Sequence, residues 1–161
     1  FGLFYEKNLI GAMIYGSLAM ANQWKKYAEE ESKVVELKRL CCIDKTPKNT
    51  ESYFIGKTLR WMKQNSDYDL VVSYADTYYG HEGTIYKASN FKHMGLTTKG
   101  KVIDYNERYY HDKCIRTYYI NKDGERVIKP FAQKIKGALE TGEAKYVDMP
   151  EKHIYIYSLK G

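Results

Sequence analysis

The chain has 161 residues, 43% apolar and 29% charged, which excludes a disordered, collagenous or coiled-coil chain and fits one domain with a real core. It is basic, with a net charge of +6 and a pI near 9.0, and it carries seventeen tyrosines. No apolar run approaches the roughly 18–20 residues of a membrane-spanning helix, so no membrane partner is expected.

Phe1–Tyr5 and Leu9–Tyr15 are apolar, aromatic-rich runs around Glu6-Lys7-Asn8, and they predict a β-hairpin. The apolar run from Leu9 to Ala21 lacks the basic region that precedes a signal sequence. Trp24–Lys33 is charged and predicts irregular or weakly helical chain. Val34–Ile43 predicts a strand, and Asp44–Asn49 a loop. Asn49 or Thr50 can cap a helix running to about Gln64, with Phe54, Ile55, Leu59 and Met62 on one face. Asp69–Asp76 has the continuous apolar start of a central strand. A short helix is expected over His81–Asn90 and an extended segment over Phe91–Thr98. Beyond Lys99 the signals weaken, leaving Arg116–Ile120 as a strand, Asn121–Gly124 as a hairpin turn, and Phe131–Leu139 as a helix ending at Gly142. His153–Leu159 alternates strictly and predicts a last strand. The expectation is a single mixed α/β domain, helices flanking a central sheet, with 99–145 a basic, less regular segment.

Charge is concentrated. Arg108 to Lys136 holds eight of the cations and only three anions. Such a segment attracts polyanions, of which nucleic acid is the commonest; the alternative is an ordinary solvated surface. Arg108, Lys113, Arg116 and Lys129 are its expected phosphate contacts. Cys41, Cys42 and Cys114 form neither a disulfide framework nor a zinc pattern, so a reduced, cytoplasmic protein is expected. The four histidines lack metal-ligand spacing, and no metal is expected.

The densest chemistry lies in Ser73-Tyr74-Ala75-Asp76-Thr77-Tyr78-Tyr79-Gly80-His81-Glu82-Gly83-Thr84-Ile85-Tyr86, from the end of a buried strand into a helix. Strand carboxyl ends are where α/β proteins place ligands. Asp76 reads as a base or as a turn carboxylate, and Tyr86 as a proton donor or as core. Both are expected to face one cleft. His81, near a helix start, suits a neutral hydrogen-bonding imidazole. Arg39, between apolar strand residues, faces either an anion or solvent. Asn49, which ends DKTPKN, and Thr50 and Ser52 in the first turn after it are the expected anion-binding positions for a cofactor.

Three stretches, Val35–Leu40, Pro47–Gly56 and the SYAD…GH.G.IY run, together resemble the phage Mom family of DNA-modification proteins. Lys152–Tyr157 resembles that family's closing strand. The likeness covers roughly residues 1–98 and 145–161. It implies a GNAT-like acyltransferase fold in which this chain begins at the second strand, without the first strand and first helices. It implies conversion of adenine N6 in DNA to N6-carbamoylmethyladenine, which protects phage DNA from host restriction. Arg39, Asp76 and Tyr86 would be catalytic, with Ser73 nearby, and Tyr74, Tyr78 or Tyr79 would stack on an adenine extruded from duplex DNA. The donor would be acetyl-CoA or a related acyl donor, although DKTPKNTES stands where GNAT enzymes carry a glycine-containing pyrophosphate loop. Two alternatives remain: an acetyl-CoA-dependent N-acetyltransferase of a small-molecule or protein amine, and an inactive DNA-binding module.

Overall fold

The computed structural model describes residues 1–160. The strands are β1 (Gly2–Tyr5), β2 (Asn8–Gly16), β3 (Val34–Cys42), β4 (Leu70–Asp76), β5 (Lys92–Leu96), β6 (Gly100–Tyr105), β7 (Arg108–His111), β8 (Tyr118–Ile120), β9 (Arg126–Ile128), β10 (Lys145–Met149) and β11 (Lys152–Ser158). The helices are α1 (Thr50–Asn65), α2 (Thr84–Ala88) and α3 (Pro130–Thr141). They divide into two compact units, Phe1–Thr97 with the segment from Lys152 onward, and Thr98–Glu151.

The first unit is a mixed six-stranded sheet in the order β1-β2-β3-β4-β11-β5. The first hairpin turns at Glu6 and Lys7, both with positive φ. As the spacing predicted, α1 buries Phe54, Ile55, Leu59 and Met62. They pack with Met13, Val35, Leu37, Val71 and Tyr155 in one core. Neither Asn49 nor Thr50 caps α1 with its side chain: Asn49 is the N-cap residue in a left-handed conformation, and the Thr50 hydroxyl bonds Pro47 O. On the opposite face of the sheet, the segment between β2 and β3 forms two single 3-10 turns, Gln23–Lys26 and Glu31–Lys33.

The feature that positions chemistry is the junction of β3 and β4. These strands run parallel for only three pairs, Val34↔Leu70, Val35↔Val71 and Glu36↔Val72. β3 then continues beside β2 as far as Cys42, and β4 beside β11 as far as Asp76. The sheet therefore opens as a wedge beyond Glu36 and Val72. A bulge sits beside its apex, because Tyr15 pairs with Leu37 but Ile14 with Arg39, leaving Lys38 unpaired in the register.

The second unit is more regular than its composition suggested. β10-β6-β7 forms a three-stranded antiparallel sheet, and β8 pairs with β9 in a separate hairpin. Ile103, Tyr105, Ile135, Ala138 and Ala144 make its core. α3 ends at Gly142, which takes the left-handed conformation of a helix stop.

Candidate functional site

Strand alternation sorts the wedge residues onto two faces. On the α1 face lies Ser73, fully buried. Its hydroxyl donates to Leu37 O at 3.2 Å across the wedge next to its apex and hydrogen-bonds the Tyr86 side chain. One hydroxyl proton cannot serve both bonds, so Tyr86 Oη is the donor to Ser73 Oγ. The Tyr86 ring packs on Tyr155 and Phe91, with centroids 5.3 and 5.5 Å away. Burial pushes the Tyr86 phenol above its ordinary range; the Ser73 bond opposes the shift and the charge of Glu36 adds to it. Tyr86 is thus a phenol that keeps its proton near neutral pH. Tyr15, pushed up to about 12 by burial, bonds Thr58 Oγ1 at 2.7 Å nearby.

A backbone contact fixes Tyr86 in place. Tyr155 donates its hydroxyl to Glu82 O at 2.7 Å. Gly83, the residue before α2, has φ +69°, and a Cβ there would lie 2.2 Å from the Tyr155 ring. Only glycine admits both the conformation and the approach. Ser89 Oγ then closes the end of α2 on Ile85 O at 2.8 Å.

On the other face stand Glu36, Arg39, Tyr74, Asp76 and Lys152. Asp76 holds Lys152 Nζ at 2.7 Å and accepts from Tyr78 N at 3.1 Å. Arg39 is exposed, opposite the exposed Ile14. Tyr74 Oη accepts from Gln23 Nε2 at 2.8 Å and meets Tyr27 Oη at 3.0 Å. Burial, then the Tyr27 bond, drives its pKa well above the tyrosine range. Tyr74 is therefore tied into the covering segment and not presented for stacking. Asp76 and Tyr86 do not share one side of a cleft as expected. Asp76 lies three positions after Ser73 on a regular strand, and that odd offset sends them to opposite faces.

Sequence reasoning missed Glu36. Its Oε2 is buried without a hydrogen-bond partner, while the Ala19 backbone N–H bonds the carboxylate. Burial raises its pKa, against the pull of Lys38, Lys152 and Arg39. An acidic residue within V-V-E-L was the available signal, since one face of an apolar strand rarely spends a position on a carboxylate without reason. Gly83 and Lys152 were also missed; the second glycine of G-H-E-G was the clue to the first.

The loop before α1 departs from the glycine-containing pyrophosphate loop of GNAT enzymes. It has no glycine, the Thr50 hydroxyl is spent on Pro47 O and the Ser52 hydroxyl on Asn49 O, and Glu51 stands in the first turn. Among the nucleic-acid residues, Tyr78 and Tyr79 are exposed and meet edge to face at 5.0 Å, with the His81 ring 6.3 Å from Tyr79. In the second unit, Arg108 opens β7, Lys113 lies in the 3-10 turn Asp112–Arg116 and Lys129 precedes α3, all exposed. Arg116 is ion-paired with Asp112. A depression of about 470 Å3 lined by Tyr27, Glu30, Lys33, Asp69 and Lys160 gathers none of the expected residues.

A family model described as the Mom protein family matches residues 1–161. The chain is 27% identical over 136 residues to methylcarbamoylase mom of Escherichia phage Mu, covering 83% of this chain. It spans 55% of that relative's length. The structure is similar to an N-acetyltransferase from Staphylococcus aureus Mu50, with a TM-score of 0.51 and 13% identity, over 99% of this chain and 66% of that one. That likeness establishes the GNAT-like mixed sheet flanked by helices. No helix among the described residues is long and apolar enough to cross a membrane.

Proposed function

The chain belongs to the Mom protein family, and from that membership we propose that it is a DNA-modifying transferase that carbamoylmethylates adenine N6. The observation that carries the proposal is the wedge between β3 and β4, with a proton-bearing tyrosine on one face and a carboxylate paired with a cation on the other.

Adenine N6 is a weak nucleophile because its lone pair is delocalised into the ring. As its new bond to carbon forms it gives up one proton, and the leaving group on the donor takes one up. The acceptor nitrogen attacks the transferred carbon from the side opposite the departing leaving group, so groups on opposite faces of an open sheet suit the two ends of the transfer better than groups side by side. Tyr86 supplies the leaving-group proton. Its raised pKa keeps that proton available, and Ser73, freed to turn its own hydrogen from Leu37 O, steadies the phenolate that results. Asp76, held by Lys152 and Tyr78 N, receives the N6 proton, and Arg39 on the same face provides positive charge for a nucleic acid or the developing product. Tyr78, Tyr79 and His81 offer exposed rings to an extruded base. The donor is an activated acyl or carbamoylmethyl carrier held by means other than a glycine-rich pyrophosphate loop.

The test is nucleoside mass spectrometry of DNA from cells expressing the protein. A modified deoxyadenosine is expected, reduced about 100-fold or more by Tyr86→Phe, the usual scale for loss of a general acid. Unmodified deoxyadenosine with soluble protein would overturn the proposal.

A further inference from the structure

The hairpin of β8 and β9 leaves three large apolar residues in water. Tyr118 is 38% exposed, Tyr119 44% and Ile120 66%. These strands pair only with each other in their sheet, and an isolated two-stranded ribbon has little stability of its own. Its tip is nevertheless rigid. Asn121 Oδ1 accepts from Asp123 N at 3.0 Å and Glu125 N at 2.8 Å, and Asn121 Nδ2 donates to Glu125 Oε2 at 3.0 Å. Asn121 N also bonds Glu125 O, and Gly124 N bonds Asn121 O. A ribbon ordered this way, with its apolar side chains uncovered, is built to be presented.

The register says what it presents. Tyr118 pairs with Ile128 and Ile120 with Arg126, so these four share one face, while Tyr119 and Val127 share the other. The Arg126 guanidinium lies 4.1 Å over the Tyr118 ring. Lys122 is at the tip and Lys129 at the base, both exposed. Residues 116–129 hold four cations and two anions. Both anions, Asp123 and Glu125, lie at the tip, Glu125 held by Asn121, and the four cations outnumber them two to one along the ribbon. Cations flanking apolar and aromatic side chains suit nucleic acid better than a second protein, whose interface core is depleted of lysine.

We propose that this hairpin is a DNA-reading ribbon that enters the major groove of the duplex. A two-stranded ribbon is of the width that groove admits. Arg126, Lys122 and Lys129 meet phosphates along the groove walls, and Ile120 and Tyr118 lie against base edges, where a thymine methyl is the natural apolar partner. The inference rests on DNA being the acceptor of the transferase, and it adds the element by which duplex is engaged.

The test is fluorescence anisotropy of the protein on a labelled duplex across a salt series, with light scattering and circular dichroism on each variant. Arg126→Gln is expected to lower the slope of log affinity against log salt by about one. Ile120→Asn is expected to weaken binding about tenfold at fixed salt with the slope unchanged, the scale of one lost apolar contact. Both positions are exposed, so folding is expected to be intact. Wild-type affinity and slope in both variants would overturn the ribbon while leaving the transferase proposal standing. Conversion of an oligomer to a monomer by Ile120→Asn, without loss of DNA affinity, would overturn it in favour of a self-association surface. A wild-type protein that does not bind duplex at all would remove both.

Discussion

Glu36 is the residue whose surroundings suit its type least. It is the last residue of β3 paired with β4, at the apex of the wedge, with one oxygen buried and unpartnered. Burial is the larger influence and raises its pKa above the ordinary 4.5; Lys38, Lys152 and Arg39 offset only part of it. A carboxyl group whose pKa is raised on folding favours the folded state when protonated. Its stabilising contribution is complete below pH 4.5 and is lost as pH rises through the raised value, so at neutral pH the ionised group costs stability. Glu36→Gln keeps an oxygen for the Ala19 N–H and removes the charge. It is expected to raise the Tm by about 2 °C at most at pH 7.5, since the group is half exposed and water screens its field. The gain shrinks on acidification and is gone below pH 4.5. Thermal melts at pH 7.5 and 4.0 check it, and a lower Tm at pH 7.5 would mean that the three cations outweigh burial. The same variant, read through modified nucleoside, tests whether this carboxylate at the wedge apex takes part in turnover.

At the scale of elements, the weakest piece is the most consequential. α2 has five residues, too few to be stable alone, yet it carries Tyr86. Its position is borrowed from β11 through Tyr155, whose ring packs on Gly83 and whose hydroxyl holds Glu82 O. Gly83→Ala places a methyl 2.2 Å from the edge of the Tyr155 ring and a side chain at positive φ, together costing about 2–4 kcal/mol. A Tm lower by about 5–10 °C is expected, with modification lost, because α2 must move away from Ser73 to relieve the clash. Tyr155→Phe removes only the bond to Glu82 O and is expected to cost about 1 kcal/mol. Comparable Tm values for the two variants would show that Gly83 is not packed as described. The same contrast explains what was legible beforehand. α1 and β4 announce themselves because their apolar period is strong over many residues and the core they pack against repeats it. β6, β7 and β10 did not. The turn between β6 and β7 uses Asn106 and Glu107 at positive φ, with no glycine to mark it, and Arg108-Tyr-Tyr-His reads as charged surface because β7 is an edge strand. The wedge was invisible because it depends on where two distant strands stop pairing, and so was the placement of Asp76 and Tyr86 on opposite faces.

At the scale of the molecule, the basic charge is polarised. Outside Arg108–Lys136, the second unit has three cations and six anions, so its net charge is small while its cationic segment remains strongly attractive to phosphate. The chain is also interrupted. β11 returns after the second unit to sit between β4 and β5, and the ends of the excursion are tied by Thr97 N to Lys152 O at 2.9 Å and Lys152 N to Thr97 Oγ1 at 2.9 Å. Each unit has its own core. Closing the sheet over an unfolded insertion costs loop entropy that grows only logarithmically with length, a penalty of a few kcal/mol that the first unit's larger core can bear. The second unit should therefore open without the first. Ile135→Ala, at a fully buried position of α3, creates a cavity worth about 2–4 kcal/mol. Hydrogen exchange is expected to accelerate across Thr98–Glu151 by about 30- to 1000-fold, while amides of α1 and β4 keep their protection. Equal loss in both units would mean that they unfold as one. With the expected result, the Tyr86–Ser73 arrangement in the first unit stays intact while the second unit opens more often.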